Sequence, residues 1–540
     1  MKEFTAFTNR WLISGTFTTL TELHIGDGRE GEIHDRSRAK QGDKESDAST
    51  VCVVPDGPAY LPASAIKGAL RSRVRSSGKW GQRETDGRLT QRACMWKRLL
   101  GSDTLDANDL VGGELVFFDA HWKSGTDEAT LTQAQLHQET DRKRPWWDNR
   151  RKTCVAVAVS LDRRTRTAKD QNLYHLEYVP AQETFRVEIG GDNLSNDEIK
   201  AVLGLLESFN HPDDPVTLGG QTSNGWGKMK WTCESAHCFD DLSAWLQSDD
   251  PPTGFDACTA MGTDRLGSLA AVALPAPAGH LIIKLKLTLE SPWLIRDSRQ
   301  RERSEKAKKL VEQGRLMEAD KPTDAVPIHD ESGKPFVPAK SLRGALRSRA
   351  EMILRTLNFK IPDHPGDKIN TVSTKGKDTN AVVQEIMKKD LAARLFGLSG
   401  WGAPLHIPRL NLLQEEAPRD DHHQEFVAID RFTGGAAAGA KFNADLAGAT
   451  TLEGTLTLDL VRLELVDQEC ASVGLLALVL RDLAEGDIPI GSGSAKGQGY
   501  CRATVTWNGK DLFAPDCDAA NHVKSFQETI PSTSPNPTPL

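Results

Sequence analysis

The sequence predicts an α+β protein built as two tandem copies of one domain, and three observations carry that prediction. The first is a repeated phrase. Leu61-Pro-Ala-Ser-Ala-Ile-Lys-Gly-Ala-Leu-Arg-Ser-Arg73 returns as Val337-Pro-Ala-Lys-Ser-Leu-Arg-Gly-Ala-Leu-Arg-Ser-Arg349, with Pro62 and Pro338 276 residues apart. The second is a glycine-rich loop near the end of each half, Gly219 to Gly227 and Gly491 to Gly499, at a spacing of 272 residues. The third is the alternation of strand-type and helix-type segments between these landmarks, with Asp162-Arg163 recurring as Asp430-Arg431 after 268 residues. Landmarks in one order at nearly constant spacing mean duplication. The expected division is a first domain over 1–246, a Pro/Ala/Gly/Asp-rich linker over 247–280, a second domain over 281–510 and a disordered tail over 511–540.

In the first half, residues 10 to 25 are rich in β-branched and aromatic types with rough period-two alternation, which predicts a strand ended by Gly26-Asp-Gly28. Arg29 to Ser49 is polar and charged and predicts a long loop. Val51 to Val54 is a short strand, and Pro62 and Ser64 open a helix that Ser64 can cap. On that helix Ile66, Leu70 and Val74 share one face, while Lys67, Arg71 and Arg75 form an adjacent cationic stripe. Trp96 to Gly101 ends a further helix, and Gly113 to Ala120 is a strand. Val155 to Arg163 and Leu173 to Pro180 predict a hairpin, Thr184 to Ile189 a strand, Asn196 to Phe209 an amphipathic helix, and Lys228 to Trp231 the closing strand.

The second half repeats this order. Leu281 to Leu289 is a strand, Arg299 to Lys321 a charged insert, and Pro338 opens the second motif helix, with Arg343 and Arg347 in the places of Lys67 and Arg71. Then come Arg394-Leu-Phe-Gly397, a strand over Val427 to Arg431, a helix over Val473 to Leu483, and the second glycine loop.

A net charge of −8 and a pI near 6.0 exclude a uniformly basic nucleic-acid binder, yet leave room for local basic patches. One such patch is Asp141 to Lys152, where six basic residues flank Trp146 and Trp147. No run of about 18 apolar residues occurs, so no membrane span is expected and a cytoplasmic protein is the default. The nine cysteines include no C-x-x-C pair, and zinc is not expected even at Cys233-Glu-Ser-Ala-His-Cys238. Both glycine loops precede strands and lack the Lys-Ser/Thr pair of a nucleotide P-loop, so nucleotide hydrolysis is not supported. Their glycines can instead bring backbone N–H groups close to an anion.

The combined pattern is a strand with His24-Ile-Gly26, a long loop carrying an Asp, Pro-x-Ser-x-Ile/Leu-Lys/Arg-Gly-x-Leu-Arg, Leu-Leu/Phe-Gly, Asp-Arg, and a terminal glycine loop. It resembles the RAMP superfamily, specifically the guide-RNA-binding backbone subunit of type III CRISPR effector complexes. Two such subunits in one chain resemble the type III-D variants. The resemblance implies two ferredoxin-like (RRM-like, β-α-β-β-α-β) domains with thumb insertions that pry the guide–target duplex. It implies that Ser64, Lys67 and Arg71, with Lys340, Arg343 and Arg347, hold the crRNA together with Gly225, Gly227, Gly497 and Gly499. His24, Arg163 and Arg431 are further candidate RNA contacts. It also implies a loop Asp upstream of Pro-x-Ser that binds a divalent metal, Mg²⁺ or Mn²⁺, and cleaves target RNA. Position selects Asp47, fifteen residues before Pro62, and Asp324, fourteen before Pro338, over Asp35, Asp43 and Asp320. The implied partners are crRNA, target RNA and other effector subunits. A non-catalytic crRNA-binding scaffold is the alternative, and a guide-processing ribonuclease ranks last because His24 has no second histidine beside it in sequence.

Overall fold

The computed structural model describes residues 6–32, 47–77, 91–102, 112–124, 148–161, 168–271, 279–297, 323–330, 333–361, 372–373, 378–413 and 422–531. The chain forms two compact units, one of residues 1–158, 173–222 and 226–280, the other of residues 159–172, 223–225 and 281–540.

The first unit is built around the strand Arg10–Thr19, which pairs antiparallel with Met229–Phe239 on one side and Thr184–Asp192 on the other. Leu115–Phe117 and Ala120–Ser124 add to the outer side of Thr184–Asp192, and Tyr60–Leu61 and Thr263–Asp264 close the two edges. Reading only the long strands and the Leu115–Ser124 pair in chain order, the sheet runs fourth, first, third, second. Trp11, Ile13 and Phe17 point from the first strand into the core, as period two requires. Helices Ala63–Ser76, Gln91–Leu100 and Asn196–Glu207 cover that face with Ile66, Leu70, Val74, Trp96, Ile199, Val202 and Leu206. Ser195 and Glu198 form a reciprocal capping box at the start of the last of these helices.

The second unit repeats the order. His280–Leu289 lies between Thr451–Asp459 and Cys501–Trp507, and Leu405–His406 and Asn411–Leu412 add beyond Thr451–Asp459. Leu281, Ile283, Leu285, Leu287 and Leu289 are all buried, with exposed residues between the last four. Helices Ala339–Thr356 and Ala471–Glu485 pack on that face. The second of these is apolar nearly all round because the helix Ala519–Glu528 covers its outer side through Phe526, which is 1 % exposed.

Three expectations change. The segment Arg29 to Ser49 is not wholly loop: Gly26–Glu32 pairs antiparallel with Asp47–Val51. Asp47–Val51 in turn pairs with Ala168–Tyr178, next to Cys154–Leu161. The expected linker carries the helix Asp256–Met261, which packs Ala257 and Cys258 on Leu12 and Phe239, and the edge strand Thr263–Asp264. The expected tail begins with the docked helix Ala519–Glu528, because burial of Phe526 outweighs a polar, low-propensity sequence.

Candidate nucleic-acid interface

The two motif helices start alike. Pro62 and Pro338 sit at the N-cap in extended geometry, and neither helix has a side-chain cap. Ser64 does not cap its helix and is exposed; Asp119 Oδ1 instead accepts from the Ala63 N–H at 2.7 Å. Lys340 occupies the first turn of the second motif helix.

Lys67, Arg71, Arg343 and Arg347 are half-exposed, and Arg71 and Arg347 each meet a carbonyl at the C-terminal end of another helix. Arg71 Nη2 donates to the Gly101 carbonyl at 3.0 Å and to that of Ser102, just past the helix Gln91–Leu100. Arg347 Nη1 donates to the Gly397 carbonyl at 2.7 Å, just past the helix Leu391–Phe396. Gly101 and Gly397 adopt φ of 85° and 83°, left-handed values that suit glycine at a helix end. Arg343 donates to the carbonyls of Leu405 at 2.9 Å and Phe396 at 3.2 Å. Its pKa is pushed down to about 10 by burial and then by Arg347. Lys67, whose ammonium lies 5.9 Å from the Phe117 ring centroid, is lowered by burial and then by Arg71.

The last arginine of each phrase is structural. Arg73 is buried against Asp214 at 2.6 Å, and His280 Nδ1 meets the same carboxylate at 2.9 Å. Burial alone would raise the Asp214 carboxyl, but His280 and Arg73 together hold it at about 2. Arg349 likewise pairs with Asp482 at 2.7 Å and Asp487 at 2.8 Å.

The glycine loops are superimposable in their bonding. Gly225, Gly227, Gly497 and Gly499 all have positive φ, from 74° to 80°. Leu218 N–H donates to Gly227 O at 2.9 Å, and Ile490 N–H to Gly499 O at 2.8 Å. Gly220 N–H reaches His24 O at 2.7 Å, and Ser492 N–H reaches Leu294 O at 2.8 Å. The first loop thus grips the His24 backbone. The His24 ring is buried, with Nδ1 2.7 Å from Glu177 O, and serves that strand contact rather than an exposed RNA surface.

Backbone pairing likewise fixes the register of the carboxylate strands. Ser49 bridges Leu176 in parallel, and Ala325 bridges Ala444. Val51 faces Gly26, and Pro327 faces Arg296. Asp324 therefore occupies the position of Ala48, while Asp47 occupies that of Thr323. Asp324 is half-buried; its N–H donates to Asn443 Oδ1 at 2.8 Å, and its Oδ2 accepts from the Asn443 N–H at 3.2 Å. Asp47 heads its strand opposite Glu32, and its side chain lies outside the described residues.

Sequence reading missed the acid that both copies do place alike. Asp27 and Asp297 each follow the strand turn, with Asp27 Oδ1 accepting from Thr50 Oγ1 at 2.8 Å and the Asp297 N–H donating to Val326 O at 2.9 Å. The signal available was their fixed step of four residues from Leu23 and Trp293.

In the second unit a hairpin, His422–Ile429 and Ala436–Leu446, stands out with Phe432 99 % exposed at its tip. Asp430 folds the tip by accepting from the N–H groups of Phe432 and Thr433, both at 2.8 Å, which lowers its pKa. Arg431 is exposed beside it. Asp162, Arg163, Trp146 and Trp147 lie outside the described residues. Burial pushes the Cys233 thiol up to about 11, which disfavours the thiolate a metal would need. Among the described residues no group of three His, Cys, Asp or Glu side chains is arranged to hold a metal, and no helix is long and apolar enough to cross a membrane.

No curated protein was found to match the chain. A family model, that of the RAMP superfamily, matches residues 16–230 and again residues 286–502, the two stretches whose strands, helices and glycine loops repeat one another. On that double match over most of its length, the chain belongs to the RAMP superfamily.

Proposed function

We propose that this protein is a crRNA-binding backbone subunit of a type III, III-D-like CRISPR effector complex, and that it cuts complementary target RNA by metal-dependent endonuclease chemistry. One observation carries the RNA-binding part. Lys67 with Arg71, and Arg343 with Arg347, are cations one helical turn apart, half-buried, and the resolved influences on Lys67 and Arg343 are burial and the neighbouring cation. Crowded positive charge of this kind is relieved by a polyanion. The strand order of the first unit supports the ferredoxin-like reading, and the exposed Phe432 hairpin supports a thumb on the second module. Base pairing with the guide supplies sequence specificity, and the protein supplies backbone contacts.

For cleavage, Asp324 and Asp47 are the proposed carboxylates. A single carboxylate suits Mg²⁺ or Mn²⁺, because Mg²⁺ commonly keeps several waters and takes remaining ligands from phosphates. Bound there, the ion would stabilise charge on the scissile phosphate. Asp324 has the firmer support, since Asn443 anchors it from two directions. The scaffold reading is favoured for the first module by Ala48, which stands where the second module has Asp324. The deciding experiment is target cleavage by the assembled complex with Asp47→Ala, Asp324→Ala and both. Each single change is expected to remove one product; retention of all products by the double variant would reduce the protein to a scaffold.

A further inference from the structure

The base of the second hairpin has two faces, and only one is used in packing. On the packed face Phe426 and Phe442 stack with centroids 4.9 Å apart, and the Lys496 ammonium of the glycine loop lies 4.3 Å from the Phe426 centroid. Ala444 and Leu446 are buried on the same side. Alternation puts His423, Glu425, Asn443 and Asp445 on the opposite face, with His423 directly across from Asp445 and Glu425 across from Asn443.

On this open face His423 Nδ1 lies 2.7 Å from Asp445 Oδ1, the histidine side chain being 52 % exposed. A carboxylate only accepts, so Nδ1 carries the proton and Nε2 of the neutral ring carries the free electron pair. Asp324 is clamped to Asn443, two residues along the same strand, and the Asp445 N–H donates to Ala325 O at 2.9 Å. The strand Ala436–Leu446 thus serves both groups: across one edge Asp445 orients His423, and across the other Asn443 holds the proposed cleavage carboxylate Asp324. The other charged groups on this face are Glu425 and Lys441, which pair with each other at 2.8 Å.

Among the described residues of the first unit the equivalent positions do not carry this arrangement. At the same 268-residue spacing Val155 stands for His423 and Glu177 for Asp445. Glu177 is buried and committed to Arg151 at 2.8 Å, Thr153 at 2.7 Å and the Val51 N–H at 3.0 Å. That network is a strand anchor with no open histidine.

We propose that His423, oriented by Asp445, is the proton acceptor for RNA cleavage at the second module; this rests on the cleavage reading above. The ribose 2′-oxygen attacks the adjacent phosphorus and its proton passes to His423 Nε2. The bond from phosphorus to the 5′-oxygen breaks, and the departing oxygen takes a proton from water. The products are a 2′,3′-cyclic phosphate and a 5′-hydroxyl, and His423 returns its proton to solvent.

The test uses the full chain assembled with guide and partner subunits, saturating Mg²⁺ and a target spanning both modules, with guide and target binding measured in parallel. His423→Ala is expected to slow the second cut by about 10²-fold or more, leave the first cut and both bindings unchanged, and recover in part when imidazole is added. Asp445→Asn is expected to slow the second cut as well, through the wrong tautomer. Wild-type cutting by His423→Ala, or a loss that imidazole does not repair, overturns the assignment while leaving Asp324 cleavage standing. Failure of the wild-type complex to make a second cut overturns the cleavage reading and this inference with it.

Discussion

Arg347 donates to the Gly397 carbonyl at 2.7 Å, and Arg71 makes the same contact with Gly101 at 3.0 Å. The Gly-x-Leu-Arg phrase and the Leu-x-Gly phrase are therefore one device, in which a guanidinium satisfies the open carbonyls of a neighbouring helix and faces its negative end. A stripe that could serve a ligand also holds two helices together.

It follows that Arg347→Ala weakens the protein before RNA is considered. A charge-assisted hydrogen bond removed from the carbonyl of the buried Gly397 predicts a loss of about 1.5–3 kcal/mol in urea unfolding. Arg75→Ala, at an exposed position of the first stripe, is expected to change stability by less than about 0.5 kcal/mol. Equal effects of the two would show that the carbonyl contact carries no stability.

The Asp214 carboxyl, held at about 2 by His280 and Arg73, predicts an acid-sensitive fold. A depressed carboxylate stabilises the folded state above its unfolded pKa near 3.8 and loses that contribution as pH falls toward 2. The contribution is of order 2 kcal/mol by linkage. Asp214→Asn should therefore flatten stability against pH across this window, and at neutral pH it should cost about 3–5 kcal/mol because Arg73 is left buried without its partner. Stability profiles of both proteins from pH 2 to 7 check the sign.

Two glycines of one loop should respond differently to alanine. Gly499 has φ 74°, and a Cβ there would lie 2.1 Å from Ile490 O. Gly497 has φ 80° but nothing within 4 Å of an added Cβ. Gly497→Ala is expected to cost only the left-handed penalty of about 1–2 kcal/mol, and Gly499→Ala clearly more because backbone must move. Thermal melts of the two variants, compared side by side, measure the difference; equal melting would mean the loop yields at Ile490.

The docked helix Ala519–Glu528 gives a fourth structural prediction. A Cβ on Gly474 would lie 2.1 Å from His522 O, so Ala471–Glu485 and Ala519–Glu528 approach closely only because residue 474 is glycine. Gly474→Val should undock the second helix and expose Phe526, whose burial is worth about 3–5 kcal/mol on the scale of Phe→Ala changes. Limited proteolysis between residues 508 and 531 should become rapid, with the strands of the sheet still protected. Unchanged protection would mean that the helix shifts without loss.

Much of this fold could be read from local pattern. Ile66, Leu70 and Val74 lie on one helical face, and Leu281 to Leu289 alternate, because burial in each case follows the period of a single element. Partners far along the chain could not be read. Nothing near Arg71 announces a carbonyl thirty residues on, and nothing near Ala519 to Glu528 announces a groove on Ala471–Glu485. The helix is stable only where it docks, so its own sequence carries little signal. The site was legible in the same measure. Motif order found Asp324 and Asp47; that Ala48 is the strand counterpart of Asp324 was already contained in the 276-residue spacing of the prolines, and the pairing with Ala444 and Leu176 gives the same register.

That register yields the sharpest test of the proposed chemistry. The loop count taken from the resemblance picks Asp47, fifteen residues before Pro62, whereas strand pairing and the 276-residue spacing of Pro62 and Pro338 both make Ala48 the counterpart of Asp324. A shift of one residue along a strand reverses the face a side chain takes. If the strand position sets the chemistry, Ala48→Asp combined with Asp47→Ala should give first-module cleavage at least equal to wild type. If the loop count sets it, the double variant should be as inactive at that site as Asp47→Ala alone, a loss of about 10²-fold or more if a metal-holding carboxylate is removed. Product lengths from a target spanning both modules separate the outcomes, and the second cut, proposed for Asp324, reports in the same lane that the complex has assembled.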